Sequence, residues 1–430
     1  MSDPRDVVIV DGVRTPFVKM GTQFARADAV YLGRVALREA LERSEVDPRD
    51  VDEVVVGTVA SPPEAANPAR VIALRAGLSQ RTPAFTVGRN CASGLQALVD
   101  AAYRIRAGHA DLVAVAAVES MTRIPFFFRA ETQGILTRAA RARGWGGRLA
   151  ALSRLRPRHF KPVVGLEVGL TDPVSGLNMG QTAEILAREW GISREEQDAF
   201  ALRSHQRAAA GWTEGRLAAE TMSVPVPPRW EEMAERDNGI RPDQSMEALA
   251  RLRPVFDRTY GTVTAGNASQ ITDGAVGLVL ASAQRAREAG LRVLGRLRSW
   301  SFAGHDPARM GLGPVVAVPE ALRRAGVEMG RIGLVEINEA FAAQVLACQR
   351  AFESRRFFEE HLGTAPIGAP DPDRLNVNGG AIALGHPVGA SGARLVLTLL
   401  KEMQRRGISL GLATLCVGGG QGGAVVVERS

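Results

Sequence analysis

The sequence predicts a duplicated α/β protein, because two of its segments repeat the same order of elements. In each segment an Ala-Ser-Gly tripeptide, at residues 92–94 and again at residues 390–392, opens a stretch with helical spacing of apolar residues. A continuously apolar, strand-sized run follows each helix, at residues 112–118 and 411–417. Apolar strands that alternate with helices are typical of buried parallel or mixed sheets. We therefore expect two packed α/β halves.

A third echo lies nearer the start of each half. Glu-Ala-Leu at residues 39–41 leads to the apolar run 51–56, and Glu-Ala-Leu at residues 320–322 leads to a similar run at 332–337. The second copy has more residues than the first between its Glu-Ala-Leu and its Ala-Ser-Gly. We expect its extra residues at 353–374, a stretch rich in charge, glycine and proline.

These repeats suggest boundaries for three units. The N-terminal half is predicted to comprise residues 1–120 and 252–290, and the C-terminal half residues 291–430. Between them, residues 121–251 are predicted to form an inserted loop domain, because their composition differs from that of the two halves. Such an insert leaves the repeated pattern on either side of it intact.

Within the insert, a basic segment precedes two predicted helices. The helical patterns cover residues 180–190 and 193–211. Ser193, with Glu196 three residues later, is typical of a helix N-terminus closed by a capping box. Prolines at 225, 227 and 228 end this helical region.

The charge of the chain is concentrated in one place. Between Arg123 and Lys161 there are ten arginines or lysines against one acid, so the rest of the chain is close to neutral although the net charge is +7. This distribution and an aromatic content of 5% argue against a nucleic-acid binder. No apolar run approaches the roughly 20 residues of a membrane span. Three scattered cysteines indicate neither a disulfide framework nor a zinc site, and a cytoplasmic location is expected.

Cys91 and His386 are the first two candidate catalytic residues. Cys91 lies between the predicted strand 84–87 and a helix start, where the helix dipole and free N–H groups favour the thiolate. His386 lies in the glycine-rich turn 378–392, and a histidine held there suits a general base near neutral pH. The repeat places both at corresponding helix starts, which a pseudo-two-fold fold would bring together. A structural cysteine and a structural histidine are the alternatives.

Cys416 ends a predicted strand and opens the glycine-rich loop 418–423. Glycines in this loop match a dinucleotide-binding pattern, but that pattern requires a helix to follow it. Residues 424–428 instead predict a strand, so we reject a nucleotide site. Gly418 is a candidate for an oxyanion hole, because glycine lets backbone N–H groups approach a reacting carbonyl.

Asn338 is the fourth candidate. It follows the predicted strand 334–337 and begins the motif Asn-Glu-Ala-Phe. Taken alone, this is an ordinary strand-to-helix turn with Asn338 as the expected N-cap.

Together these four motifs, in this order, resemble the active-site blocks of the thiolase family. They are Asn-Cys-Ala-Ser-Gly at 90–94, Asn-Glu-Ala-Phe at 338–341, Gly-His-Pro at 385–387 and Cys-x-Gly-Gly-Gly at 416–420, with supporting matches at 14–17, 178–184 and 261–269. The resemblance covers essentially the whole chain. It implies a duplicated five-layer α/β/α/β/α fold, a loop domain that binds coenzyme A, and a homodimer or homotetramer.

The resemblance also implies a role for each residue. Cys91 is the nucleophile that carries the acyl group, His386 is its base, and Cys416 protonates the acetyl-CoA enolate. Asn338 orients a water at the enolate oxygen, and the backbone N–H groups of Cys91 and Gly418 hold the acyl carbonyl. The residues implied near coenzyme A are Met179, Ala268, Ser269 and Phe341. No metal or bound cofactor is implied, since coenzyme A is a substrate.

The implied activity is thiolytic cleavage of 3-ketoacyl-CoA in fatty acid β-oxidation, reversible as a Claisen condensation. The insertions after residue 121 and at 353–374 resemble those of trifunctional-protein β subunits, which handle longer chains beside a hydratase/dehydrogenase α subunit. Many of those β subunits have histidine where this chain has Asn338. Three alternatives are a biosynthetic acetoacetyl-CoA thiolase, a ketoacyl-synthase-type enzyme and a non-catalytic lipid- or CoA-binding homologue. Cys416 argues against the second, and the complete set of motifs argues against the third.

Residues 134–156 suggest a separate surface function. Their apolar residues form a stripe at helical spacing beside an arginine-rich face, and the glycines at 144, 146 and 147 are expected to split the stretch into two short helices. With Trp145 as an interfacial anchor, such a segment suits peripheral contact with the inner face of an anionic membrane. Docking of a partner subunit and attraction of the coenzyme A phosphates are the competing interpretations.

Overall fold

A single ten-stranded mixed sheet organises the protein. The computed structural model describes residues 3–430. The strands are β1 (Val7–Arg14), β2 (Val18–Lys19), β3 (Glu53–Gly57), β4 (Ala84–Val87), β5 (Leu112–Glu119), β6 (Thr272–Ser282), β7 (Gly295–Gly304), β8 (Leu334–Ile337), β9 (Leu410–Val417) and β10 (Gln421–Arg429). Two small hairpins pair Phe126–Phe127 with Val163–Val164 and Val224–Pro225 with Met233–Ala234.

The sheet repeats one topology twice. On one side β3 pairs in parallel with β4 and β5, and β6 pairs antiparallel with β5 and β1. On the other side β8 pairs in parallel with β9 and bridges Leu375 in parallel, and β10 pairs antiparallel with β9 and β7. The two sides join where Val8 and Ile9 of β1 pair with Arg296 and Gly295 of β7. The predicted duplication is therefore confirmed.

Ten helices of eight or more residues surround the sheet in the described part of the chain. They are α1 (Ala29–Arg43), α2 (Pro68–Arg75), α3 (Ser93–Arg106), α4 (Ala130–Arg141), α5 (Gly144–Leu152), α6 (Met179–Glu189), α7 (Arg194–Thr213), α8 (Gly313–Ala325), α9 (Ala342–Glu353) and α10 (Val388–Arg406). Shorter α-helices are Gly165–Gly169, Met246–Ala250, Ala283–Glu288, Arg355–His361 and Ala381–Leu384. Single 3₁₀ turns are Pro48–Asp50, Met121–Arg123, Pro157–Phe160, Ala218–Glu220, Pro307–Leu312 and Met329–Arg331.

The two sides of the sheet form separate layers, and helices α3 and α10 lie between them as the central one of five layers. They share one buried core with strands of both sides of the sheet, for example Leu95 and Leu395 with Val115 and Leu415. Helices α1 and α2 cover the outer face of one side, and α8 and α9 that of the other. The five-layer α/β/α/β/α arrangement is therefore present.

The echoed small residues explain how the two central helices approach each other. A Cβ on Gly94 would lie 2.9 Å from the carbonyl oxygen of Gly389, and a Cβ on Gly392 would lie 2.8 Å from the backbone nitrogen of Leu95. Both distances are too short for a real side chain. Glycine at these positions therefore lets α3 and α10 meet backbone to backbone.

Local predictions within the insert agree with the structure. Ser193 accepts from the backbone N–H of Glu196, and the Glu196 side chain accepts from that of Ser193, so the capping box is confirmed. The basic segment does form two short helices, α4 and α5, although the chain leaves the helical conformation at Ala142 rather than at a glycine. No helix within residues 3–430 has the length and apolar character needed to cross a membrane.

Candidate active site

Cys91 lies in a tight turn between β4 and α3. Asn90, just before it, has a φ of +43°, in the left-handed region that few residues other than glycine adopt. The Asn90 side chain donates to the carbonyl oxygen of Gly418 at 2.7 Å, and the Ser93 hydroxyl donates to the carbonyl oxygen of Asn90 at 2.7 Å. These contacts hold the turn in its strained form and join it to the C-terminal half.

The pKa of Cys91 differs from the sequence-based expectation. Burial raises the pKa of the Cys91 thiol, and the carboxylate of Glu119 acts in the same direction. The backbone N–H groups of Gly418 and of Cys91 itself lower that pKa, but they do not outweigh burial. Backbone N–H groups therefore stabilise the Cys91 thiolate as expected, but in the resting protein desolvation disfavours the charged form more strongly. Resting Cys91 is a thiol.

His386 is buried just before α10 and has a defined orientation. Its backbone N–H donates to the carbonyl oxygen of Gln270 at 2.9 Å, and its Nδ1 lies 2.6 Å from the Ser391 hydroxyl. That hydroxyl donates to the carbonyl oxygen of Pro387 at 3.2 Å. We assign the proton to Nδ1 on this basis, which leaves Nε2 free to accept one.

The charge state of His386 also follows from its surroundings. Burial, with a smaller contribution from the Arg394 guanidinium, lowers the pKa of His386 to about 4. The imidazole is therefore neutral at physiological pH.

Cys416 and Gly418 lie at the end of β9. Cys416 is buried, and desolvation followed by the proximity of Cys91 and Cys348 raises its pKa well above the usual thiol range. Gly419 and Gly420 have φ values of +89° and +77°, which glycine adopts without strain. This turn directs the Gly418 N–H toward the Cys91 thiol.

Asn338 is not an N-cap, so that prediction is wrong. Its backbone N–H donates to the carbonyl oxygen of Thr414 at 3.0 Å, which extends the β8–β9 pairing by one residue. The helix begins only at Ala342, with Phe341 at the N-cap position. Within residues 3–430, neither polar atom of the buried Asn338 amide has a hydrogen-bond partner. Such an amide is costly to bury unless another molecule binds it.

Two cavities meet at Cys91. One, of about 170 Å³, is lined by Cys91, His386 and Cys416 together. Its wall also contains the four residues implied near coenzyme A, which are Met179, Ala268, Ser269 and Phe341. The other cavity, of about 280 Å³, contains Cys91 and Gly418 in its wall. Asn338 is not among the lining residues of either cavity.

The second cavity is mostly apolar, and one of its residues was missed by sequence reasoning. Its apolar side chains include Val59, Ile124, Leu166, Leu170, Val174 and Val388. Glu119, fully buried, lies in the same wall. The sequence did contain a signal for Glu119, since it is a single acid at the end of the continuously apolar run 112–118. A charged residue at the end of a buried strand is unusual and therefore indicates a special role.

Comparison with known proteins identifies the family. The thiolase N-terminal domain model matches residues 7–284 and the thiolase C-terminal domain model matches residues 291–429. A 3-ketoacyl-CoA thiolase of Erwinia tasmaniensis is 43% identical over 98% of this chain and 96% of that protein, and one of Vibrio cholerae is 41% identical over 98% and 97%.

Solved structures give the same result. The human mitochondrial 3-ketoacyl-CoA thiolase in complex with CoA is 35% identical, with a TM-score of 0.85 over 99% of this chain and 98% of that one. The Bacillus anthracis acetyl-CoA acetyltransferase is 36% identical, with a TM-score of 0.86 over 99% of both chains. With both domain models matched along nearly its whole length, and with Cys91, His386 and Cys416 in the wall of one cavity, the chain belongs to the thiolase family.

Proposed function

We propose that the chain cleaves 3-ketoacyl-CoA with coenzyme A by way of an acyl-enzyme on Cys91. The chain is an acetyl-CoA C-acyltransferase, and the reaction belongs to fatty acid β-oxidation. One observation carries the residue assignment: Cys91, His386 and Cys416 line the same small cavity. A nucleophile, its base and a second proton-transfer group are what the reaction needs within reach of one substrate.

The first step is activation of Cys91. His386 is neutral and holds its proton on Nδ1 toward Ser391, so Nε2 accepts the thiol proton as the sulfur attacks the 3-keto carbon. Because the pKa of Cys91 is raised, the ion pair is not the resting state. The N–H groups of Cys91 and Gly418 stabilise the oxyanion that forms, which makes the transfer favourable only when substrate is bound.

The second step breaks the carbon–carbon bond. It leaves the acyl group on Cys91 and an acetyl-CoA enolate, whose carbon takes a proton from Cys416. A thiol with a raised pKa is protonated at neutral pH and therefore suits this role. A water on the Asn338 amide would donate to the enolate oxygen, and the unpartnered state of that amide supports this role. The Cys416 thiolate then takes the thiol proton of coenzyme A as its sulfur attacks the acyl-enzyme, and His386 returns its proton to the Cys91 thiolate that leaves as the shortened acyl-CoA is released.

The two cavities suggest separate places for the two ends of the substrate. The cavity that contains Met179 and Ser269 suits the pantetheine arm, and the larger apolar cavity suits the acyl tail. Both reach Cys91, as an acyl chain bonded to its sulfur requires. This arrangement supports substrates longer than acetoacetyl-CoA.

We expect Leu166→Trp to restrict the enzyme to substrates with shorter acyl chains. Leu166 lines the apolar cavity, so a larger ring there should lower kcat/KM for long 3-ketoacyl-CoA by roughly tenfold or more relative to acetoacetyl-CoA. The measurement is coenzyme A-dependent thiolysis across chain lengths with the purified protein. Val168→Trp is the matched control, because Val168 is exposed on the same short helix. An unchanged ratio in the Leu166 variant would show that the tail lies elsewhere.

The basic segment forms an exposed surface that is both apolar and cationic. Trp145 is 83% exposed and Leu149 70%, and Phe126 and Phe160 of the same basic segment are exposed as well. Within residues 3–430, Glu131 is the acid that pairs with the segment, through Arg158 and His159. Apolar side chains surrounded by unneutralised arginines match the chemistry of an anionic lipid surface, and we propose peripheral contact with one.

Vesicle co-sedimentation tests this contact. The wild type should bind vesicles that contain phosphatidylglycerol, less so as salt rises, and should not bind pure phosphatidylcholine. Replacing both Trp145 and Leu149 by alanine should weaken binding roughly tenfold or more, because each substitution removes apolar surface that the membrane would bury. Tyr260→Ala, at an equally exposed site, should bind like the wild type. If the protein binds neither kind of vesicle at low salt, the proposed membrane contact is wrong. Docking of a hydratase/dehydrogenase partner subunit then becomes the proposed role of this surface.

The free edge of the sheet supports a homo-oligomer. Among residues 3–430, β3 is the one strand that pairs with β4, so the other edge of β4 is available to the same strand of a second copy. We propose a homodimer, or a tetramer of two such dimers, in the cytoplasm.

A further inference from the structure

Glu119 connects the two halves of the protein at the active site. Its carboxylate accepts from the backbone N–H of Val59 at 3.0 Å, of Ala60 at 2.9 Å and of Gly389 at 3.0 Å, and from the Thr58 hydroxyl at 3.4 Å. Three of these donors belong to the loop after β3, in the N-terminal half. Gly389 belongs to the first turn of α10, in the C-terminal half. One carboxylate therefore bridges a cavity loop and the helix that follows His386.

The contact with Gly389 satisfies a helix end that has no cap of its own. Pro387 is the N-cap of α10 and supplies no side-chain acceptor, so the first N–H groups of the helix need other partners. A Cβ on residue 389 would lie 2.5 Å from Glu119 Oε2. Glycine is thus required for the carboxylate to reach the helix. His386 lies three residues before Gly389, so this contact limits its movement.

The charge of Glu119 is not neutralised by a cation. Among residues 3–430 it forms no ion pair, and its partners are neutral donors. Burial raises its pKa to about 6, so it is mostly ionised at neutral pH. The other titratable groups that line its cavity are Cys91 and Asp172, and the Asp172 carboxylate is occupied by Val174 and Ser175. Burial is the largest cause of the raised Cys91 pKa, and the charge of Glu119 acts in the same direction.

We propose that Glu119 is a positioning residue for the thiolase reaction, whose carboxylate fixes the His386 helix against the Cys91 half. The inference rests on the proposed function for the roles of Cys91 and His386. Both carboxylate oxygens of Glu119 accept hydrogen bonds, so Gln, whose NH₂ group cannot accept, and the shorter Asp should each weaken this contact.

The first test needs no turnover. Glu119 lies in the wall of the Cys91 cavity, and removing its negative charge in Glu119→Gln favours the thiolate, so the pH midpoint of Cys91 alkylation by iodoacetamide should fall by about half a unit to one unit. Asp273→Asn is the matched control. Asp273 is a buried carboxylate on the neighbouring β6, its pKa is also raised to about 6, and Thr122 satisfies it. Its variant should leave the Cys91 midpoint in place. An unshifted midpoint in Glu119→Gln would overturn an action of Glu119 on the Cys91 site.

The positioning role is tested by kinetics. Glu119→Asp keeps the charge but is one methylene too short to reach both halves, so kcat should fall roughly tenfold to a hundredfold with a smaller change in KM and an unshifted alkylation midpoint. An unchanged kcat in both variants, with native thermal unfolding, would overturn this role. If Cys91 were not the nucleophile, Cys91→Ala, which leaves the cavities open, would retain thiolysis, and this separates failure of the proposed function from failure of this inference.

Discussion

Replacing Cys91 by alanine is expected to abolish thiolysis and condensation alike, by roughly 10⁴-fold or more, because no other group can carry the acyl chain between the two half-reactions. Cys416 and Cys348 are the other two thiols of the chain. Both are buried, and burial raises the pKa of each, that of Cys348 to about 12. Cys91 is only partly buried and opens onto both cavities, so it alone meets the substrate from both sides.

The measurement is twofold. Steady-state thiolysis gives the loss of activity, and mass spectrometry of peptides after incubation with labelled acyl-CoA locates the acyl group in the wild type. Cys348→Ala is the control, because Cys348 bonds to the Gly311 carbonyl and lines neither cavity, and it should retain turnover. Label on Cys416 or Cys348 would contradict the assignment of the nucleophile.

The second large effect is expected from Cys416→Ser, and it should be selective. Proton exchange at the α-carbon of acetyl-CoA in deuterated water requires an acid–base group at the enolate, so the variant should lose roughly 10²- to 10⁴-fold in this exchange. Transfer of an acyl group from acyl-CoA to Cys91 involves His386 and the N–H groups around the sulfur instead. We therefore expect acyl transfer to fall far less.

NMR of acetyl-CoA follows the proton exchange, and incorporation of labelled coenzyme A into acyl-CoA follows the acyl transfer. Cys348→Ser is a matched control, since serine can also donate to the Gly311 carbonyl and the site is close to Cys416. Equal loss of both activities in Cys416→Ser would refute the division of labour between the two cysteines.

Much of the fold was predictable because it depends on short-range patterns. Strands β4 and β8 lie where apolar runs predict them, and Ser193 with Glu196 forms the expected capping box. The three echoes predicted the duplication, since each half must place its own strands and helices in the same order. The failure at Asn338 came from long-range pairing: Thr414, 76 positions away, takes the backbone N–H that a helix cap would have left free.

The sequence by itself determined the order of elements, the duplicated fold and the motifs from which the family is identified. Only the tertiary structure decided the protonation states at the site. Burial outweighs the helix start and leaves Cys91 a thiol, and burial makes His386 neutral. It also revealed Glu119, whose partners Val59 and Gly389 are 60 and 270 positions away. Desolvation and hydrogen bonding depend on which distant segments surround a group, and the local spacing of residues along the chain does not predict those segments.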